Sequence, residues 1–203
     1  MKPKVLIGAP IFDGSAYAIT EYLEGIKNLA YDNFDYLLVD NSEIDEFFND
    51  LKKRNVNVIR ACYNIKQPKI KLTECRNVLR EKVLNEDYDY FLSLEQDAIP
   101  PRNVIENLIK HNKKIVSGVY CNFYKNARGE NELRPLLYRE LNDNEKNLIK
   151  SNSQKFKELN PDTFEILQKN NFDFSTVRKQ LTMGDIEEKK LIEVAGTRFA
   201  RAP

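Results

Sequence analysis

The chain reads Tyr90-Phe91-Leu92-Ser93-Leu94-Glu95-Gln96-Asp97 near its middle, an apolar run that ends in two carboxylates. The run predicts a buried strand over 89–94. Because side chains alternate along an extended chain, Glu95 and Asp97 point toward the same side. Such a pair can hold a hard divalent cation, and the cation can hold a phosphate. The other interpretation is an ordinary polar turn that closes the strand.

Strand and helix signals alternate on both sides of this stretch. Apolar runs predict further strands at 5–11, 36–39, 56–59 and 115–120. Apolar residues at helical spacing predict intervening helices at 16–30, 44–51, 72–83 and 101–109. Pro101 suits the first position of the last helix. This alternation predicts an α/β fold with a mostly parallel central sheet and helices on both faces.

The composition changes after residue 124. Residues 125–190 are polar, rich in Asn, Lys and Glu, and have broken periodicity. They contain signals for a short strand at 136–138 and a short helix at 164–168, and a return to the sheet follows near 191–196. We therefore expect residues 1–124 to form the α/β core of a single domain. Residues 125–203 would elaborate that domain as an acceptor-side or lid region.

Charge and cysteine content disfavour several classes of protein. The 203 residues carry a formal net charge of +1, without the basic excess of nucleic-acid-binding proteins. Cys62, Cys75 and Cys121 form no CxxC motif, and His111 is the only histidine, which disfavours a zinc site. No apolar stretch approaches the roughly 20 residues that span a bilayer, and no cleavable signal is evident. We expect a soluble cytoplasmic protein, with peripheral membrane contact left open.

Three predicted strands end in residues that suit a ligand site, namely Pro10, Asp40 and the Glu95/Asp97 pair. In open parallel sheets, ligands bind beyond the carboxyl ends of the strands. The segment 8–15, Gly-Ala-Pro-Ile-Phe-Asp-Gly-Ser, is neither GxGxxG nor a P-loop, which disfavours both kinds of nucleotide fold. Pro10 would instead make this loop rigid enough to lie against a flat base, or would simply terminate the strand.

The order of these features resembles the GT-A fold glycosyltransferases, close to family 2. The resemblance covers roughly residues 3–124. It rests on the strand that ends at Pro10, Val39-Asp40-Asn41-Ser42, Arg76-Asn77 on a helix, and the Glu-x-Asp of residues 95–97 in place of the usual Asp-x-Asp. Ser117-Gly118-Val119-Tyr120 also resembles the strand that follows the metal motif in this family.

The resemblance implies a GT-A-like (Rossmann-like) domain that moves a sugar from a UDP- or GDP-sugar to an unknown acceptor, by an inverting reaction assisted by Mn²⁺ or Mg²⁺. Pro10, Ile11 and Phe12 would line the nucleobase pocket. Asp40 would accept hydrogen bonds from the base or ribose, its alternative being a helix cap or turn residue. Arg76 would reach the diphosphate or pair with an acid of the site.

The same resemblance assigns the remaining donor-side residues. Asp97 would ligate the metal, and Asn77 would support the adjoining loop. Glu95 would bind the metal through water or contact the ribose, because its side chain is one methylene longer than the usual Asp. Gln96, between the two carboxylates, belongs to the same donor-binding segment.

An inverting transferase also needs a general base for the acceptor hydroxyl. The candidates downstream are Asp173, Asp185, Glu187 and Glu188, none with a distinguishing pattern. The alternative is therefore a non-catalytic or truncated GT-A-like domain that binds a nucleotide or a partner. A sugar-phosphate nucleotidyltransferase is disfavoured, because the segment 8–14 lacks the Gly-rich, Arg-containing loop of those enzymes.

Overall fold

The computed structural model describes residues 2–61, 64–119, 121–125, 129–175, 177–181 and 183. The chain divides into two compact units, Met1–Ser117 and Gly118–Pro203. Each unit is described by itself. The assignment of residues 125–203 as an elaboration of the first unit stays a prediction.

A four-stranded parallel sheet forms the centre of the first unit. Its strands are β1 (Val5–Ile11), β2 (Phe34–Asp40), β3 (Val58–Arg60) and β4 (Tyr90–Ser93). They lie in the order β3-β2-β1-β4, and all three pairings are parallel. The predicted α/β class with a parallel sheet is confirmed.

Helices cover both faces of this sheet. The helices of the first unit are α1 (Ile19–Lys27), α2 (Glu46–Lys53), α3 (Pro68–Asn85) and α4 (Val104–Ile109), and a 3-10 helix over Asp13–Ala18 precedes α1. All seven residues of β1 are buried, which explains its continuous apolar sequence. Alternate residues of β1 face opposite sides: Ile7 packs in one core with α1, α2 and α4, whereas Leu6 packs against α3.

Close packing of α3 on the sheet depends on the glycine in β1. A Cβ at Gly8 would lie 2.8 Å from both Leu79 Cδ2 and Phe91 Cε2. The absent side chain therefore lets α3 approach the sheet. Pro68 occupies the start of α3, where its missing N–H costs no helical hydrogen bond.

Two predictions in the first unit are wrong. Residues 115–119 form no strand, and the side chain of Ile115 is 88% exposed; Tyr120 lies outside the described residues. Ser117 and Gly118 interrupt this apolar run, and glycine weakens a strand because it has no side chain to pack. Pro101 is not the first residue of α4 but lies three residues before it, where its carbonyl accepts the Val104 N–H at 3.0 Å.

Within the part of the second unit that the structure describes, two antiparallel strand pairs accompany three helices. The pairs are β5 (Cys121–Lys125) with β6 (Asn131–Pro135), and β7 (Tyr138–Glu140) with β8 (Arg178–Gln180). The helices are α5 (Asp143–Ser151), α6 (Ser153–Leu159) and α7 (Pro161–Lys169). The predicted helix at 164–168 lies within α7, and the predicted strand at 136–138 begins at Tyr138. The predicted strand near 191–196 lies outside the described residues.

Glu145 forms a charged cluster with β7 and β8. Its two carboxylate oxygens accept from Arg139 at 2.7 and 2.8 Å, and Oε1 also accepts from Lys179 at 2.9 Å. Oε2 additionally accepts the Asn142 N–H at 3.0 Å, within a capping box that begins α5. Burial alone would raise the pKa of Glu145, but these hydrogen bonds outweigh it and lower the pKa to about 2.

Glu145→Gln is expected to lower the free energy of unfolding by about 1–2 kcal/mol at pH 7. The folded pKa lies below the ordinary value of 4.5. The stabilisation is therefore complete above pH 4.5 and is lost as the pH falls toward 2. Urea unfolding at pH 7 and at about pH 2.5 measures this difference, which must shrink in acid. Glu165→Gln, at an exposed i,i+4 pair with Lys169, is the control and should change little.

No helix among the described residues has both the length and the apolarity needed to cross a membrane.

Candidate functional site

The candidate site lies at the carboxyl ends of β1, β2 and β4. Ile11 pairs in register with Asp40, whereas β4 ends at Ser93 opposite Gly8. The chain passes from β1 to β2 and β3 and then returns to the other side of β1 for β4, so the strand order reverses between β1 and β4. Such a reversal opens a crevice at the sheet edge where α/β proteins commonly bind ligands.

Gln96 joins the turn after β4 to the loop after β1. Its side chain is 4% exposed. Its Oε1 accepts the Phe12 N–H, and its Nε2 donates to the Ser15 carbonyl, both at 3.0 Å. Both ends of the amide are therefore used to hold the loop, and its role in contacting a donor stays a prediction.

Ser42 joins the same loop to the end of β2. Its hydroxyl accepts the Asp13 N–H at 2.9 Å and donates to Asp40 Oδ1 at 2.6 Å, and its own N–H donates to the same oxygen at 3.2 Å. With Gln96 on the other side, the loop after β1 is clamped from both neighbouring strands. The ends of β1, β2 and β4 thus form one connected edge.

The predicted site residues divide by exposure. Those that are buried are Pro10, Ile11, Asp40 and Gln96. Those that are exposed are Phe12, Arg76, Asn77, Glu95 and Asp97. The first group lies within the framework of the edge, and the second lies at its surface.

Phe12 presents an aromatic ring at this edge. The side chain is 46% exposed. A Cβ at Gly14 would lie 2.3 Å from Phe12 Cε2, so the ring lies over Gly14 and depends on a glycine there. The arrangement leaves part of the ring exposed, and its place in a nucleobase pocket stays a prediction.

Asp40 is fully buried at the end of β2. Its Oδ1 is occupied by Ser42, whereas its Oδ2 has no hydrogen-bond partner among the described residues. Arg60 Nε lies 3.8 Å from Oδ2 and balances the charge. A buried acceptor that lacks a donor is costly, and the role of Oδ2 in binding a nucleoside stays a prediction.

Arg76 and Glu95 form an ion pair on the exposed side of the edge. The Nη2–Oε1 distance is 2.9 Å, and both side chains are about half exposed, at 50% and 48%. Arg76 thus pairs with Glu95, and its contact with a diphosphate stays a prediction. Asn77 contacts Glu74 on its own helix, with 3.5 Å between Nδ2 and Oε2.

Two carboxylates on one turn, Glu95 and Asp97, are the oxygen ligands that Mg²⁺ and Mn²⁺ prefer. Across the ranges that the structure describes, no group of three or more His, Cys, Asp or Glu side chains is arranged to hold a metal. A cation here would therefore need further oxygens from a phosphate and water, which is how Mg²⁺ commonly binds. The residues fit a metal that arrives with its ligand.

Tyr22 fixes the base of the acidic turn. Its hydroxyl, fully buried, donates to the Leu94 carbonyl at 2.9 Å. Burial, with a contribution from the nearby Glu95 charge, raises the pKa of Tyr22 far above its ordinary value, so the hydroxyl stays a donor.

The structure describes one of the four candidates for the general base, Asp173. Asp173 is exposed in the second unit, where Oδ1 accepts from Ser175 N and Oγ at 2.9 and 2.7 Å. That arrangement is a local turn. Asp185, Glu187 and Glu188 lie outside the described residues.

Sequence reasoning missed three residues that make contacts at the candidate site, namely Tyr22, Ser42 and Arg60. Ser42 belongs to the segment 39–42 that was quoted for the resemblance. Arg60 directly follows the predicted strand 56–59, so its position at a strand end was the available signal. Tyr22 lies on the apolar face of α1, and nothing in the surrounding sequence indicates that its hydroxyl forms a hydrogen bond.

No family model and no curated protein matches the chain. Solved structures similar to it include S. aureus TarS, with a TM-score of 0.39 and 17% identity over 53% of this chain and 19% of that one. S. aureus TarS 1-349 in complex with UDP-GlcNAc gives a TM-score of 0.37 and 18% identity, over 53% and 30% of the two chains. The complex of TarS 1-349 with UDP gives 0.37 and 16%, over 53% and 31%. The chain thus covers less than a third of each of these TarS chains, and a similarity this low assigns it to no family.

Proposed function

We propose that the edge formed by β1, β2 and β4 binds a nucleotide-diphospho-sugar together with Mn²⁺ or Mg²⁺, and that the protein is a glycosyltransferase of the GT-A type. The observation that carries the proposal is the grouping of one guanidinium, Arg76, with two carboxylates, Glu95 and Asp97, on the edge where the strand order reverses. A diphosphate needs a cation that donates hydrogen bonds, and a metal between its oxygens needs hard ligands.

Each part of the donor has a chemical counterpart at this edge. The Phe12 ring offers a stacking surface for the base, and Asp40 Oδ2 offers an acceptor for an N–H or O–H of the nucleoside. Arg76 would leave Glu95 to donate to the diphosphate, and Asp97 with Glu95 would hold the metal. When bound, the metal would neutralise the charge that develops on the diphosphate leaving group.

The transfer that we propose is inverting and needs a base near the acceptor hydroxyl. Asp185, Glu187 and Glu188 remain candidates for that role, as does Asp173. The acceptor itself is unassigned.

Calorimetry of the purified chain with UDP, GDP and UDP-GlcNAc, each with and without Mn²⁺, tests the proposal. We expect binding that is tightened by Mn²⁺, followed by slow metal-dependent hydrolysis of a nucleotide-sugar. Failure to bind any nucleotide would refute the proposal. Metal-dependent binding with neither hydrolysis nor transfer would identify a nucleotide-binding domain without turnover.

Arg76→Ala is expected to weaken UDP binding about 10-fold while leaving uridine binding unchanged, because only UDP carries the phosphates that a guanidinium contacts. Calorimetry with the two ligands at saturating Mn²⁺ makes the comparison. Arg80→Ala is the matched control, one turn along α3, where Arg80 is exposed and pairs with Glu81 at 2.7 Å. Equal losses for UDP and uridine would place Arg76 away from the phosphates.

A further inference from the structure

Arg60 is the last residue of β3, the strand that neighbours β2 in the sheet. It pairs in register with Asp40 at the end of β2. Its side chain is only 16% exposed, although its position at a strand end would let it extend into solvent. The guanidinium is instead turned back over the end of β2.

The guanidinium contacts several residues of the loop that follows β2. Its Nη2 donates to the carbonyls of Ser42, Glu43 and Ile44 at 3.1, 3.2 and 3.2 Å. Its Nη1 forms an ion pair with Asp45. Three successive carbonyls and a carboxylate thus converge on one planar group with several N–H donors, an arrangement that a lysine ammonium cannot reproduce.

The same side chain is the charge partner of Asp40. Arg60 Nε lies 3.8 Å from Asp40 Oδ2, a distance that gives attraction but not a hydrogen bond. The Oδ2 atom is therefore charge-balanced and still able to accept a hydrogen bond. A buried carboxylate without a neighbouring cation would be strongly unfavourable.

We propose that Arg60 is a positioning residue for nucleotide binding, acting on the ligand through Asp40 and the loop 42–45. It keeps the loop folded against the end of β2, which places Ser42 to hold Asp40 Oδ1. Asp40 Oδ2 then has a charge partner but no hydrogen-bond partner among the described residues, and it is the acceptor that we expect a nucleoside N–H or O–H to reach. The inference rests on the proposed function for its ligand and assigns a residue that the proposed function does not use.

Arg60→Lys tests this inference. Lysine keeps the positive charge beside Asp40 but has no planar guanidinium to donate hydrogen bonds to the carbonyls of residues 42–44. We expect faster hydrogen exchange at the amides of residues 43–45 and UDP binding weakened about 10-fold. Mn²⁺ binding without nucleotide, followed by electron paramagnetic resonance, should be unchanged. Arg54→Lys is the control, since Arg54 is an exposed arginine at the end of α2 that pairs with Asp50 at 3.6 Å.

A double-mutant cycle with Asp40→Asn separates positioning from general stability. If Arg60 acts through Asp40, Arg60→Lys should weaken UDP binding much less in the Asp40→Asn background than in the native one. Equal losses in both backgrounds would overturn the inference, as would unchanged UDP affinity in Arg60→Lys despite faster exchange. Absence of UDP binding by the native chain is a different result, seen before any substitution, and it refutes the proposed function instead.

Discussion

Asp97→Ala is expected to weaken UDP binding about 100-fold in saturating Mn²⁺ and to abolish the difference between binding with and without metal. Asp97 and Glu95 are the two carboxylates on the turn after β4, so the substitution removes half of the protein oxygens that we propose to hold the metal. A 100-fold loss corresponds to about 2.7 kcal/mol of binding free energy. Calorimetry with UDP measures both quantities, and the Mn²⁺ resonance signal reports metal binding directly.

Asp87→Ala is the matched control for this prediction. Asp87 is equally exposed but precedes β4, at the opposite edge of the sheet. Its removal should change neither UDP nor Mn²⁺ binding. Native affinity and native metal dependence in Asp97→Ala would contradict the assignment of the metal to this turn.

Gln96→Leu is expected to lower the free energy of unfolding of the first unit by about 1–3 kcal/mol. The substitution keeps the approximate volume but leaves the Phe12 N–H and the Ser15 carbonyl without their side-chain partner. Both hydrogen bonds are partly buried, and each such bond contributes about 0.5–1.5 kcal/mol net, against a total stability of about 5–15 kcal/mol for a typical domain. Urea unfolding followed by circular dichroism gives the difference.

Two further variants sharpen the prediction. Gln96→Glu keeps the acceptor for Phe12 but places a buried carboxylate against the Ser15 carbonyl, so at pH 7 its cost should be at least as large as that of Gln96→Leu. Gln67→Leu, at an exposed position that makes no capping bond to α3, should fall within about 0.5 kcal/mol of the native chain. A Gln96→Leu protein as stable as Gln67→Leu would show that the clamp contributes nothing.

The sheet was predictable because buried parallel strands require continuous apolar sequence. Val5–Ile11 is the clearest case, being buried at every residue. Once the strands are parallel, their carboxyl ends must share an edge, and this brings Pro10, Asp40 and Glu95 to one side without knowledge of any contact. The same reasoning fails at 115–119, where an apolar run interrupted by Ser117 and Gly118 does not form the expected strand.

The side-chain partners within the edge were not predictable in this way. Gln96 reaches Phe12 and Ser15 across 84 and 81 residues of sequence, and no local pattern reports that distance. The contacts of Arg60 were unpredictable for the same reason, because they depend on the path of the loop 42–45, which is set by tertiary structure. Residue type also does not predict which of these residues are buried. Asp40 is fully buried, whereas Asp97, also an aspartate, is exposed.

The ion pair between Arg76 and Glu95 would couple the binding of the diphosphate to the binding of the metal. A half-exposed pair contributes only about 0–1 kcal/mol, so Arg76 can exchange Glu95 for a diphosphate at little cost. That exchange would release Glu95 to the metal, and each ligand would then prepare the site for the other. Linkage requires the two effects to be equal: the factor by which UDP raises the affinity for Mn²⁺ is the factor by which Mn²⁺ raises the affinity for UDP.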